Sequence, residues 1–128
     1  MKNTSIRRER IDLKGVKFMI SAEQMDRAVE FYRDTFGLGI KTHSPFWSEL
    51  TFGNAIVALH GGGDDSFNET GLSFTVADIH SACRAIEECG GSVRSEPEDR
   101  GDEGIYLAMV TDTENNGFML SQDKTHSA

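Results

Sequence analysis

Apolar residues first recur with a period of two. Val16, Phe18 and Ile20 alternate with Lys17, Met19 and Ser21, which predicts a half-buried strand. The period then changes. Met25, Ala28, Val29, Tyr32 and Phe36 fall at helical spacing, and Gly37 stops the helix behind Phe36. Leu38–Thr42 reads as a short strand. Phe46–Phe52 and Ala55–His60 read as two more, joined by Gly53-Asn54, a pair suited to a tight hairpin. Gly61–Thr70 is polar and glycine-rich and reads as a linker. The order then repeats. Leu72–Val76 alternates, Asp78 is an N-cap candidate, and Ile79, Cys83, Ile86 and Cys89 form a helical stripe ending at Gly90-Gly91. Ser92–Ser95, Ile105–Val110 and Gly117–Ser121 supply three strands, with turn chemistry at Asp112–Asn116. Two βαβββ units, residues 15–60 and 71–122, make an internal repeat with a period of about 55 residues.

Composition narrows the classes. The 128 residues are 38% apolar and 27% charged, which suits one globular domain that buries its core without a metal or disulfide. The net charge of −8 disfavours nucleic-acid backbones and anionic membranes by long-range repulsion. No apolar run approaches the ~18 residues of a membrane span, and no signal-peptide core is evident at the N-terminus. Cys83 and Cys89 read as reduced thiols, so a cytoplasmic location is expected. Residues 1–14 form a basic tail carrying Lys2, Arg7, Arg8, Arg10 and Lys14, expected to be solvated. Residues 96–103 reverse the sign, with Glu96, Glu98, Asp99, Asp102 and Glu103 around Arg100, and read as a mobile loop or an exposed turn.

Three segments then carry a resemblance: the helix Asp26–Leu38, the strand and helix start Leu72–Asp78, and the turn Asp112-Thr113-Glu114-Asn115-Asn116. In this order and spacing the chain resembles the vicinal oxygen chelate superfamily, which includes glyoxalase I, extradiol dioxygenases, fosfomycin-resistance enzymes and bleomycin-binding proteins. The resemblance implies one α+β domain over residues 15–122. In it, two βαβββ modules form curved sheets around a cavity, with helices on the convex side. It also implies a homodimer. Enzymes of the superfamily hold a divalent cation at positions that correspond here to Lys17, Ala58, Gly71 and Met119. A protonated amine, two side chains without donors and a soft thioether make a poor set for such a cation, so no metal or other cofactor is expected.

Strand alternation assigns the remaining candidates. Val16, Phe18, Ile20, Leu50, Phe52, Leu72, Phe74, Val76, Phe118 and Leu120 are expected on the helix side. Across the hairpin, Phe52 should oppose Ala55, Leu50 Val57 and Ser48 Leu59. On the other face Thr51 should oppose Ile56, Glu49 Ala58 and Trp47 His60. The cavity is therefore expected to be lined by Trp47, Glu49 and His60, with Met19, Ser73, Met109 and Met119 opposite or beneath. Trp47 could stack a ligand, Lys17 could neutralise Glu49, and Glu49 with His60 could serve as an acid–base pair. His43, His80 and His126 lack partners at metal-like spacing and read as surface residues. Gly61–Gly63 lacks the following Lys-Ser/Thr of a phosphate loop. These features point to a metal-independent protein that sequesters an aromatic or cationic small molecule. A lyase, isomerase or dioxygenase with an atypical metal site or Glu49/His60 chemistry is the alternative, and an accessory module with a filled cavity a third.

Overall fold

A computed structural model describes residues 8–124 of the chain. Within them the elements run β1 (Phe18–Ala22), α1 (Met25–Phe36), β2 (Gly39–Thr42), β3 (Trp47–Phe52), β4 (Ala55–Gly61), β5 (Asn68–Thr75), α2 (Ile79–Glu88), β6 (Ser92–Asp99), a 3-10 turn (Gly101–Glu103), β7 (Ile105–Thr111) and β8 (Asn116–Asp123). This is an α+β fold of two βαβββ modules. Each has a separate four-stranded sheet, ordered β1-β4-β3-β2 and β5-β8-β7-β6. The first strand of each module pairs in parallel with the last, and the other pairings are antiparallel.

The periodicities explain the elements. α1 buries Met25, Ala28, Val29, Phe31 and Tyr32 and leaves Asp26, Glu30 and Arg33 outside. Gly37 ends it in the left-handed region at φ 71°, where its N–H bonds the Arg33 carbonyl and Leu38 turns into the core. α2 is capped by Asp78, whose carboxylate accepts from the Ser81 N–H at 3.1 Å, and buries Ile79, Cys83 and Ile86. Against the helices lie Ile20, Leu50, Leu72, Phe118 and Leu120, all buried. The hairpin register is the one the turn demands, from Phe52 opposite Ala55 to Trp47 opposite His60.

Some expectations are corrected. Residues 96–99 belong to β6, which runs to Asp99, and only Gly101–Glu103 form an exposed turn. β6 is an edge strand whose pairing with β7 shifts between Val93 and Ser95 and again between Ser95 and Glu98. Pro97 falls in the second shift, where a missing N–H costs no ladder bond, and the charges point to water. The linker is shorter than expected, since Gly61 belongs to β4 and β5 starts at Asn68, which pairs with Asn116. Val16 precedes β1 and is exposed, as is Phe52, and Phe18 is half out of the core. Those two phenylalanines stand at strand ends beside a cleft. Lys2, Arg7 and His126 lie outside the described residues, and residues 8–14 carry no regular structure.

One turn joins the modules. Gln24, at the N-cap of α1, gives that helix no side-chain bond. The missing acceptor comes from the β7–β8 turn: Glu114 Oε1 accepts from the N–H groups of Glu23 and Gln24 at 2.9 and 2.8 Å. Arg27 Nε donates to Glu114 Oε2 at 2.8 Å. Beside it, Tyr32 Oη donates to Asp112 Oδ2 at 2.6 Å, and Asp112 also accepts from the N–H groups of Glu114 and Asn116. Asn116 in turn brackets Ser21 of β1, accepting from its N–H and donating to its carbonyl. Beneath, Tyr32 and Phe36 pack on Phe74 and Phe118 of the second module, with ring centroids 4.6–6.3 Å apart.

Burial raises the Glu114 carboxyl, but Arg27 and the donated N–H groups outweigh it and hold the group below its ordinary value. Its contribution is therefore full above the unfolded-state value and fades as pH falls through the lower folded one. Replacing Glu114 by Ala should cost about 2–3 kcal/mol in urea unfolding near neutral pH, from a lost cap and a stranded Arg27. That cost should shrink in acid. A neutral substitution, or a cost independent of pH, would refute the role.

Candidate functional site

On the sheet face away from α1, one carboxylate organises its surroundings. Glu49, midway along β3, is only 6% exposed. Its Oε2 accepts from Lys17 Nζ at 2.7 Å and from Trp47 Nε1 at 2.8 Å, while Lys41 Nζ lies 3.8 Å from Oε1. Alternation along β3 places Trp47 and Glu49 on one side, so the indole N–H can reach the carboxylate two residues on. Lys17 arrives from just before β1, and its ammonium stands 5.9 Å from the centre of the Trp47 ring. His60, opposite Trp47, meets the indole edge-on with centroids 6.1 Å apart.

The electrostatics follow from these contacts. The hydrogen bond from Lys17, then that from Trp47, lower the Glu49 pKa against a smaller opposing effect of burial. Glu49 is therefore an ionised anchor that fixes the plane of the indole. Two lysines face one carboxylate, so the patch has a surplus of positive charge. His60 is exposed, and no hydrogen bond joins it to Glu49 among the described residues.

The other candidates are distributed over both sheets. Met19, Ala58 and Glu49 form one row across β1, β4 and β3. Ser73, Met119 and Met109 form the corresponding row across β5, β8 and β7. Met19 is exposed, and Met109 and Met119 are half-buried. A cleft of about 630 Å³ opens elsewhere, between the end of α1, the β3–β4 hairpin, β5 and the start of α2. Of the candidates, only Ser73 lines it. His43 does have a partner, Asp26, at 2.9 Å, and His80 is exposed. Lys41 escaped the sequence reading because the register shift between Ile40 and Thr42 obscures which way its side chain turns.

The four positions that would carry a metal do not fit one. Lys17 is an ammonium committed to Glu49, Ala58 and Gly71 offer no donor, and Met119 offers a soft thioether. Among the described residues no group of three or more His, Cys, Asp or Glu is placed to hold an ion.

A family profile described as "Glyoxalase/Bleomycin resistance protein/Dioxygenase superfamily" matches residues 16–120, and the chain belongs to that family. Among solved structures, it is similar to a glyoxalase/bleomycin resistance protein/dioxygenase family enzyme from Burkholderia phytofirmans PsJN, with 17% identity and a TM-score of 0.73 over 84% of this chain and 96% of that one. It is also similar to TnmS3, an antibiotic binding protein from Streptomyces sp. CB03234, with 20% identity and a TM-score of 0.69 over 89% and 99%. A bleomycin resistance determinant encoded on the transposon Tn5 gives 18% identity and a TM-score of 0.65 over 88% and 100%. At these identities the likeness is one of fold. No curated protein matches the sequence. No helix among the described residues is long and apolar enough to cross a membrane.

The Glu49 contacts generate a prediction. Because its folded pKa is lowered, the bond to the indole should survive below the ordinary glutamate range and break as pH falls through the depressed value. Emission of Trp47, the single tryptophan, should titrate there. Glu49→Gln should abolish that transition, and its persistence in the variant would rule Glu49 out as the cause.

Proposed function

We propose that this chain is a metal-independent small-molecule-binding protein that sequesters a flat aromatic compound beside Trp47. The observation that carries the reading is the indole itself, held by its N–H to a buried carboxylate on the sheet face away from the core. An aromatic pinned in this way stacks a ligand at little cost in side-chain entropy. The antibiotic-binding and bleomycin-resistance descriptions of two structural neighbours support a ligand of this general kind. The expected preference for cations is revised. Glu49 is already met by Lys17 and Lys41, so a neutral or anionic aromatic gains more than a cationic one. Catalysis by Glu49 with His60 has no observation in its favour, because the carboxylate is committed to Lys17 and Trp47.

The face around Trp47 is open, and Met19, in the row of Glu49 and Ala58, is exposed on it. A second copy of the chain would cover this face and supply the missing wall, and a homodimer is the assembly we propose. The free thiols of Cys83 and Cys89 fit a reducing compartment, and we place it in the cytoplasm.

A thermal-shift screen of aromatic antibiotics tests the reading, with Trp47 emission as the second readout. For a hit, Trp47→Ala should weaken binding about ten-fold, the worth of a partly desolvated ring contact, and lower the melting temperature little. Equal binding by the variant would refute the site. Sedimentation should give the mass of two chains. A chelator should leave the melting temperature unchanged, and a fall of several degrees would reveal a structural metal.

A further inference from the structure

The two modules repeat, but their turns do not. The β7–β8 turn, residues 112–115, reaches the other module, caps α1 through Glu114 and packs behind α2, where a Cβ on Gly90 would lie 3.2 Å from the Thr113 methyl. Its counterpart between β3 and β4 is only Gly53-Asn54. That pair places no side chain on α2, which is capped instead by its own Asp78. One of two equivalent junctions is thus plugged by a turn. The other is the cleft of about 630 Å³.

We infer that this unplugged junction is a second small-molecule site, for an uncharged, largely apolar compound with an aromatic ring system. Its volume falls within the ~300–1,000 Å³ typical of small-molecule sites. Phe18, Phe36, Phe52 and Phe74 supply aromatic walls from both modules. Asp78 is the one charged residue in the lining, and its two oxygens already accept from the N–H and hydroxyl of Ser81. An anionic ligand would find no counter-ion, and a cationic one only a carboxylate already engaged in capping α2. Trp47 stands at the far end of β3 from Phe52, so this site is separate from the open-face cluster and does not depend on it.

Nile red, an uncharged polycyclic dye with a carbonyl acceptor, is a suitable probe. It should bind one per chain with enhanced emission. Ala85→Phe, which fills the α2 wall of the cleft, should weaken it about ten-fold or more. Ala82→Leu, a smaller filling of the same wall, guards against a filled variant that fails to fold; it should weaken binding about three-fold. Unchanged Trp47 emission in both variants would show the open face intact. Absence of dye binding, or equal binding by the wild type and both variants, would overturn the inference. So would a wild-type dimer that excludes the dye and dissociates on Ala85→Phe, since a second copy would then occupy the cleft.

Discussion

An anion without water must be surrounded by donors, and Glu114 is the anion around which this molecule is assembled. Its side chain has no solvent exposure, yet it stays ionised because backbone N–H groups of Glu23 and Gln24, the Arg27 guanidinium and the Thr113 hydroxyl converge on it. Those donors come chiefly from the first module and the acceptor from the second. The position of α1, the packing of Tyr32 on Phe118 and the bracket between Asn116 and Ser21 are set together by that convergence. Asp112 next to it feels the opposite balance. Burial raises its pKa beyond what Tyr32 and Asn116 restore, so keeping it ionised at neutral pH costs stability that Glu114 helps offset.

The open face uses a carboxylate differently. Glu49 joins no two elements of the core; it restrains an aromatic ring and two lysines at a surface. Its hydrogen bonds fix the edge of the indole, while Lys17 approaches the ring at 5.9 Å from its centre. The result is a rigid plate in a locally basic field on a chain whose net charge is −8. Such a local inversion is consistent with the neutral or anionic aromatic ligand that we propose.

Much of the fold was legible in the chain because its periodicities are clean. The alternation in β3 and β4, with a two-residue loop between them, determined the hairpin register and the shared face of Trp47, Glu49 and His60. What could not be read depended on departures from period or on distant partners. β6 carries Pro97 and a run of charges that look like loop composition, and only its place at a sheet edge makes them acceptable. Lys41 sits at a register shift. The residues that join Asp112 to Tyr32 and Glu114 to Arg27 were visible singly as turn and helix members. Their pairing needs the third dimension, since nothing local in a helix start without its own side-chain cap shows where its acceptor will come from.

That remote cap has a consequence during synthesis. Gln24 and its acceptor on Glu114 are 90 residues apart, so α1 leaves the ribosome long before the group that completes its first turn. At the usual elongation rate of about 5–20 residues per second, the interval is on the order of 5–20 s. Throughout it, the N-terminal module has a helix with unmatched N–H groups and the aromatic faces of Tyr32 and Phe36 uncovered. Local folding of β3 and β4 is immediate by comparison, because a hairpin closes in microseconds. The nascent chain therefore passes through a half-made state whose sticky surface is the future junction between modules, the part of this protein that chaperones would recognise.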